Sequence, residues 1–311
     1  MPGMAATTDA PVARPTPGNY AAVAALGLIW GGTFMVVTVA LGGYGPVTVA
    51  AARTALGALA LVALALALGR PVPRPSASLG AFVAAIGVAT AALPFFLLAW
   101  AQQHVPSAFA GLSMAVLPLF VLPLAHWLVP GDRLTWRKAG GFALGLAGAL
   151  VLLGPGTLAA TGGDLEALGR LACLAATLCY ATGSILTRRC PPVDPIWLSA
   201  LTLAVGAAIL VPAMLVAEGR PGAAPAPALA ALVALGLVPT ALAALLRVQV
   251  IRSAGPSFMT LVNYQVPAWA MLFGWLVLDE ALPGRFFAAL ALILLGLAVS
   301  QWRALRAAAG G

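Results

Sequence analysis

Two side-chain amides lie in a strongly apolar stretch of the second half of the chain. Asn263 and Gln265 flank Tyr264, a few residues before Pro267. A side-chain amide carries both donors and an acceptor, so it can bind the carboxylate and the ammonium of a zwitterion at once. Ser113 and Met114 precede Pro118 in a matching place, about 150 residues earlier. These residues are candidates to bind a polar small molecule, and hydrogen bonding between packed helices is the alternative.

Two arginines also interrupt apolar runs. They are Arg53 and Arg247, the second of which is followed closely by Gln249. An arginine at the centre of a bilayer-spanning helix costs about 2.5 to 3.5 kcal/mol on insertion scales, so it needs a counter-group or a function to be retained. Arg247 either faces a substrate path or extends its side chain to the nearby end of its helix.

Aromatic rings form the second component of this candidate site. Those near the middle of the apolar stretches are Trp30, Phe34, Phe95, Phe96, Trp100, Tyr180 and Tyr264. Stacking between aromatic rings contributes about 0.5 to 1.5 kcal/mol per pair, so these rings predict a wall for an aromatic or large apolar ligand. Core packing is the alternative for any single ring. Four tryptophans lie at the ends of the stretches and predict anchors at the lipid headgroups: Trp127, Trp136, Trp197 and Trp302.

Other reactive residue types form no recognisable site. The cysteines have no CxxC spacing and no nearby histidine, which argues against a zinc site or a disulfide framework: Cys173, Cys179 and Cys190. Ser113 in GLSMA would need a general base within hydrogen-bond reach to act as a nucleophile. His126 is more than three turns away on the same predicted helix, and His104 lies towards the opposite membrane face. No GxxxxGK[ST] loop is present. We therefore expect no enzyme activity, no metal and no cofactor.

Composition places the chain in a membrane. Of its 311 residues, 62% are hydrophobic and only 8% are charged, whereas an average soluble domain has about 25% charged residues. A protein with so few charged residues has an apolar exterior, which suits lipid better than water. The net charge of +8 comes from residues scattered singly or in pairs between apolar runs. A nucleic-acid site needs clustered cations on one solvated face, so we expect no nucleic-acid partner.

Hydropathy windows of about 19 residues predict ten membrane helices. They lie near 20–41, 46–69, 77–101, 106–129, 136–153, 167–187, 194–217, 226–250, 256–278 and 284–303. Residues 1–19 lack a sharply basic start, so they predict a cytoplasmic tail on a retained helix and not a cleaved signal peptide. Residues 304–311 form a second cytoplasmic tail.

The cations predict the orientation of these helices, because cytoplasmic connections are enriched in Lys and Arg. Both termini are then cytoplasmic. The predicted inside segments contain Arg14, Arg70, Arg74, Arg133, Arg137, Lys138, Arg188, Arg189, Arg252, Arg303 and Arg306. The outside segments contain Arg170, Arg220 and Arg285. The eight acids lie in the tail, in connections or at helix ends, so none is available in mid-membrane.

Two halves of the chain repeat each other. A shift of about 145 to 150 residues pairs several special residues: Trp30 with Tyr180, Pro46 with Pro195, Gly57 with Gly206, Pro94 with Pro239, Pro118 with Pro267, Arg137 with Arg285, and Gly148 with Gly296. The repeats are predicted at 20–153 and 154–303. Because each has five helices, the second copy enters the membrane from the opposite side. The predicted fold is an all-α integral membrane protein of two inverted five-helix repeats.

Inverted repeats are typical of secondary transporters, whose substrate site lies near the midplane between the repeats. The paired prolines Pro94, Pro118, Pro239 and Pro267 weaken the backbone ladder and are predicted hinges in the walls of a cavity. Static kinks are the alternative. Gly141 and Gly145, with Gly148 after them, predict either close packing of the fifth helix or a dimer seam.

The motifs resemble those of a known family. LIWGGTFMVV resembles its WG-x-x-F start, and GPVTVAAARTALGAL resembles its P…R second helix. The block from AQQHVPSAFAGLSMAVLPLF to GGFALGLAGALVLL and the second copy ending in LDEALPGRFFAALALILLGLAVS are similar to its third to fifth helices. Over almost its whole length the chain is identified as a member of the drug/metabolite transporter superfamily, EamA type. Within the superfamily it resembles the YddG-type exporters of aromatic amino acids. Asp132 departs from the family's usual Glu, which Glu280 keeps in the second half.

The resemblance implies an alternating-access carrier of the bacterial inner membrane. Its expected partners are a small-molecule substrate and membrane lipid, and it is expected to be a monomer or a homodimer. The expected substrates are aromatic and other large neutral amino acids, or related small metabolites. The resemblance also implies that Arg53 is a structural arginine bonded to carbonyls or an interfacial acid, with substrate contact as the alternative. Facilitated diffusion, exchange and proton antiport all stay open.

The competing interpretations are a transporter of another metabolite or drug class, a non-transporting membrane scaffold, and an intramembrane enzyme.

Overall fold

A computed structural model describes residues 16–128, 136–154, 165–254, 259 and 261–300. Within these ranges every regular element is helical. Several predicted features lie outside the described residues: Asp9, Arg14, Asp132, Arg133, Asp164, Trp302, Arg303 and Arg306, together with the side chains of His126, Trp127, Arg137, Lys138 and Arg252.

The described residues form ten helices, if helical segments that follow one another without a break are counted as one helix. In the first half, α1 is Pro17–Leu41, α2 is Pro46–Ala67 and α3 is Ala77–Gly87, Val88–Ala92 and Leu93–Ala101. There α4 is Ser107–Ser113, Met114–Val116 and Leu117–Leu128, and α5 is Trp136–Leu153. In the second half, α6 is Leu165–Arg189, α7 is Pro195–Ala217 and α8 is Ala226–Gly236, Leu237–Leu242 and Ala243–Ala254. Finally, α9 is Val262–Leu278 and α10 is Gly284–Ser300.

Among the described residues, six of these helices are long and apolar enough to cross a membrane. They are α1, α2, α3, α6, α7 and the Ala226–Arg247 part of α8. Shorter apolar helices run over Ser107–Val121, Ala139–Leu153 and Gly284–Val299. The prediction of an all-helical membrane protein is confirmed, and the prediction that ten helices cross the bilayer stays a prediction.

Helix packing follows the same pattern in both halves. The first helix of each half packs against the fourth helix of the other, so α1 lies on α9 and α6 lies on α4. The first helix also contacts the third helix of the other half, α1 with α8 and α6 with α3. The second helices, α2 and α7, pack on each other, as do the fifth helices, α5 and α10. This exchange fits an architecture of two repeats.

Close approach of α5 and α10 depends on glycines. A Cβ added to Gly296 would lie 2.5 Å from the carbonyl oxygen of Gly141 and 2.7 Å from the backbone nitrogen of Gly145. No side chain fits at such distances from backbone atoms, so these glycines let the two helices touch. The G-x-x-x-G spacing is therefore used for packing within the chain, which was one of the two interpretations of the motif.

Wide turns interrupt α3 and α8 at the paired prolines. A π-helical segment, Val88–Ala92, ends just before Pro94, and another, Leu237–Leu242, contains Pro239. Proline has no N–H, and its ring clashes with the carbonyl four residues earlier, so the regular ladder loosens there. In α4 a 3₁₀ turn at Met114–Val116 precedes Pro118. In α9 the helix runs through Pro267 without a change of type.

Candidate functional site

Three of the predicted wall residues meet near the π-helical segment of α8. The Trp30 indole in α1 donates a hydrogen bond of 3.2 Å from Nε1 to the carbonyl oxygen of Pro239. Phe95 is buried, and Tyr180 packs half-buried both against the core cluster that contains Phe95 and against the cluster on which Trp30 packs. Aromatic residues from α1, α3 and α6 therefore pack in or against two adjoining core clusters, and Trp30 links one of these clusters to α8.

Arg53 of α2 lies against one of these rings. Its guanidinium carbon is 3.8 Å from the centroid of the Phe95 ring. Its Nε donates to the hydroxyl of Thr240 at 3.4 Å, and that hydroxyl donates to the carbonyl oxygen of Leu235 at 2.9 Å. Tyr180 is close enough to interact with Arg53 electrostatically. The cation is held by an aromatic face on one side and a threonine hydroxyl on the other.

Gly57, one turn after Arg53, makes this geometry possible. A Cβ at Gly57 would lie 2.6 Å from the methyl carbon of Thr240. The missing side chain lets the π-helical segment of α8 come close to α2, so that the Thr240 hydroxyl reaches the arginine. A glycine that the repeat pattern pairs with Gly206 thus has a specific role at the site.

Arg53 has no acidic partner in the described part of the chain. The acids described there with bonded partners lie elsewhere: Asp194 on Arg70 at 3.7 Å, Glu166 on Arg170, Glu218 on the start of α2 and Glu280 on the start of α4. Its terminal nitrogens, Nη1 and Nη2, have no hydrogen bond to a described residue and are not fully buried. The sequence-based interpretation assigned Arg53 to carbonyls or an interfacial acid, and neither contact is present among the described residues.

The amides of α9 do not converge on one point. Asn263 is exposed, whereas Gln265 lies against α1, where a Cβ at Gly27 would come within 2.8 Å of its side chain. The Tyr264 hydroxyl is buried and has no hydrogen-bond partner. Because successive helix residues differ by about 100° in direction, residues 263 and 265 point to nearly opposite sides. The position of Gln265 favours the alternative of contact between helices.

Ser113 and Met114 are held against α6. The buried Ser113 hydroxyl donates to the carbonyl oxygen of Ala110 at 2.7 Å. Thr177 of α6 donates to the Ser113 carbonyl at 3.4 Å and lies 3.9 Å from the Met114 sulfur. The described hydrogen bonds of this segment to another helix are therefore with α6, although the same segment also packs on α9.

The other predicted site residues are distributed around the centre. Phe34 is buried, and a Cβ at Gly111 of α4 would lie 3.0 Å from its ring. Trp100 forms an edge contact with His104, with centroids 4.8 Å apart, at the end of α3. Arg247 lies seven residues after Thr240 in α8, is exposed and lacks any bonded partner among the described residues.

The sequence contains a signal for Arg53 and Thr240 that the first interpretation did not use. The shift that pairs Pro94 with Pro239 also pairs Phe95 with Thr240, and both of these residues contact Arg53. The residue paired with Arg53 in the second half is Thr202, which is uncharged. The signal is therefore a cation without a counterpart in the other half, which contacts two residues that the repeat pairs with each other.

Carboxylates of the second half cap helices of the first half. Glu218 accepts from the backbone N–H groups of Val47 and Thr48 at 2.9 and 2.8 Å. Glu280 accepts from those of Ser107 and Ala108 at 2.7 and 2.9 Å. Helix N-termini favour such anions because their first N–H groups are unpaired. These contacts join the halves at one end of the molecule.

A bundle of apolar helices with a partly polar centre between two similar halves is typical of a membrane transporter. Comparison with known proteins agrees. The model of the EamA-like transporter family matches the chain twice, at residues 18–154 and 167–301. The chain therefore belongs to the EamA-like transporter family and is a membrane transporter of this type.

Three individual relatives share 27 to 28% sequence identity with this chain. A probable terminal-alkyne amino-acid exporter of Streptantibioticus cattleyicolor is 27% identical over 254 residues, which cover 82% of this chain and 83% of the relative. An uncharacterized inner membrane transporter of Escherichia coli K12, YedA, is 28% identical over 261 residues, 82% of this chain and 81% of YedA. An S-adenosylmethionine/S-adenosylhomocysteine transporter of Chlamydia trachomatis is 27% identical over 281 residues, 86% of this chain and 84% of that protein.

A solved crystal structure shares the fold. It superimposes with a TM-score of 0.67 at 23% identity and covers 93% of this chain and 99% of its own.

Proposed function

We propose that this protein exports aromatic and other large neutral amino acids, or closely related metabolites, across the bacterial inner membrane. The observation that carries the proposal is the meeting of Trp30, Phe95 and Tyr180 beside the π-helical segment of α8. Aromatic faces suit an aromatic or large apolar side chain. The exporter and the S-adenosylmethionine transporter among the relatives support it, since the names of both describe substrates with an amino-acid group.

The proposed architecture has ten membrane helices in two inverted repeats, 20–153 and 154–303, with cytoplasmic tails at 1–19 and 304–311. The exchanged contacts of α1 with α9 and of α6 with α4 support it. Rocking of one repeat against the other opens the site to each side in turn. The wide turns at Pro94 and Pro239 supply bendable points in α3 and α8, and Pro118 and Pro267 are proposed hinges in α4 and α9.

The proposed site combines the aromatic cluster with polar side chains that have no bonded partner in the part of the chain that the structure describes. Tyr264 and Asn263 of α9 and Arg247 of α8 are of this kind. Gln265, Ser113, Met114, Phe34 and Trp100 are proposed contacts at its margins. The site has few polar groups in an apolar wall, so its selectivity among large neutral side chains is low, about 1 to 3 kcal/mol per methylene.

Uptake of radiolabelled tryptophan into proteoliposomes tests the proposal. We expect saturable tryptophan flux that phenylalanine and methionine inhibit, and no inhibition by lysine, because no described acid is available to pair with a second ammonium. Trp30→Leu lowers this flux, whereas Trp136→Leu, at a residue that is 93% exposed, serves as the matched control. Fast lysine or sugar flux without competition by tryptophan or methionine would contradict the amino-acid proposal.

A second candidate is a substrate that joins an amino acid to a larger aromatic group. The relative named as an S-adenosylmethionine/S-adenosylhomocysteine transporter favours it. The same competition assay separates the two candidates, because S-adenosylhomocysteine would then inhibit tryptophan uptake more strongly than phenylalanine does.

A further inference from the structure

Arg53 is a cation inside the helix bundle without an anion. Charges are expensive to place in the membrane interior, and those that persist pair with an opposite charge or face a pathway. The described acids that have bonded partners are engaged elsewhere, at the ends of α2, α4, α6 and α7, and Asp279 lies exposed after the end of α9. Arg53 instead contacts an aromatic ring and a threonine hydroxyl, neither of which neutralises it.

We propose that Arg53 binds the carboxylate of the transported substrate through its two terminal nitrogens. This inference rests on the proposed function and names the group of the substrate that the site recognises. A guanidinium presents a planar fork of N–H donors that matches both oxygens of a carboxylate. In Arg53 the Nε donor is used by Thr240, and the donors left over, on Nη1 and Nη2, have no hydrogen bond to a described residue and are not fully buried.

The contacts of Arg53 fix the direction of its fork. The Phe95 ring covers one face of the guanidinium at 3.8 Å, and the hydrogen bond to Thr240 fixes the Nε edge at 3.4 Å. Thr240 is itself fixed by its bond to Leu235 at 2.9 Å. A side chain oriented in this way loses little freedom when the anion binds, which increases affinity.

The two repeats differ at the position of Arg53, so the site offers a cation for one carboxylate. Thr202, the residue paired with Arg53, is buried, and its hydroxyl donates to the carbonyl oxygen of Ser199 at 3.0 Å. No second cation therefore lies at the matching place in α7. The site also has no described acid for an ammonium, which meets only aromatic faces and neutral oxygens. The carboxylate is required for recognition, whereas the ammonium is dispensable.

Three ligands separate the role of the substrate carboxylate from that of the ammonium: phenylalanine, phenylalaninamide and 3-phenylpropionate. The amide lacks the carboxylate, and the propionate lacks the ammonium. As competitors of tryptophan uptake by the wild-type protein, phenylalanine and 3-phenylpropionate should differ by only a few fold. The amide should be weaker by about 10- to 100-fold, the range for the loss of charge-assisted hydrogen bonds.

Substitution at Arg53 should remove this discrimination. In Arg53→Gln, phenylalanine should lose affinity by about 10-fold or more, while the amide changes little. Arg53→Lys should keep part of the preference, because it keeps the charge and loses the fork. Arg74→Gln, which removes an exposed cation from the α2–α3 connection, and Thr202→Val are the matched controls and should match the wild type.

Each outcome decides one proposal. Equal inhibition by phenylalanine and its amide in the wild type would overturn the role of Arg53 and leave amino-acid transport intact. Absence of inhibition by every amino acid, with flux of another solute, would overturn the proposed function. If Arg53→Gln does not reach the membrane, Thr240→Val decides, because loss of the Nε acceptor should reduce the discrimination several fold. Unchanged discrimination in Thr240→Val and in Arg53→Lys would contradict the proposal.

Discussion

A single indole joins the two halves of the protein at the candidate site. Trp30 of α1 donates from Nε1 to the Pro239 carbonyl oxygen, in the segment where α8 widens. Trp30→Phe keeps an aromatic ring and removes the donor. The net loss should be about 1 kcal/mol of stability, because one neutral hydrogen bond disappears. Thermal unfolding in detergent measures it, and Trp136→Phe, at an exposed ring, should show no change. Equal stability of both variants would show that the bond is not maintained.

Carboxylate caps give a second prediction at the scale of single residues. The Glu280 carboxylate accepts from two backbone N–H groups at the start of α4. Glu280→Ala leaves both unpaired and should lower stability by about 1 kcal/mol, the usual cost of a lost N-cap. Asp279→Asn is the neighbouring control, because it removes the charge of an exposed side chain and keeps a residue type that tolerates the left-handed backbone of this position. A melting temperature that falls equally in both variants would attribute the loss to the negative charge of this segment and not to the two capping bonds.

At the scale of elements, the wide turn of α8 is the feature to test. Pro239→Ala restores an N–H and favours a regular helix where Leu237–Leu242 is now π-helical. If this segment bends during transport, the variant should reduce turnover several fold with little change in substrate affinity. Pro212→Ala removes an exposed proline from the interior of α7 and is the matched control. Equal kcat in Pro239→Ala and the wild type would make this proline a static kink.

The sequence predicted elements better than it predicted the positions of side chains. Apolar runs and the prolines at the first turns of α2 and α7 place most helix ends within a few residues. Asn263 and Gln265, both candidates for the site, lie on nearly opposite faces of α9, as helical geometry requires of residues two apart. The contacts of Arg53 depend on how α2, α3 and α8 pack across half the chain, which no local pattern encodes. In the sequence, only the pairing of residues between the two repeats indicates these contacts of Arg53.

At the scale of the whole molecule, the glycine seam between α5 and α10 links the last helices of the halves. Gly296→Leu places a side chain where a Cβ is already 2.5 Å from the Gly141 carbonyl oxygen. It should force the two helices apart and lower the free energy of unfolding by about 3 kcal/mol or more, which is the upper end of the range for overpacked cores. Gly140→Leu is the control, because a Cβ there meets no atom within 4 Å. Measured melting temperatures should fall only for Gly296→Leu, and a stable Gly296→Leu variant would argue against this seam.

Orientation in the membrane is a property of the whole chain, and the connections supply the evidence for it. The connection that follows α2 meets the start of α7, where the Trp197 indole donates to the Arg70 carbonyl oxygen at 3.2 Å. The same end holds Arg74 and the final residues of α6, Arg188 and Arg189. At the other end Glu218 meets the start of α2. Because the first end is richer in arginine, we expect it to face the cytoplasm.

Accessibility of single cysteines checks this orientation. After Cys173, Cys179 and Cys190 are replaced by alanine, a cysteine at Gly222 should react with a membrane-impermeant maleimide in intact cells. Gly222 is exposed and a Cβ there meets no atom within 4 Å, so the substitution leaves the fold unchanged. A cysteine at Pro73, in the α2–α3 connection, should react only after the membrane is permeabilised. Because each repeat crosses an odd number of times in the proposed architecture, the reverse labelling pattern would place both termini outside and contradict the cation argument.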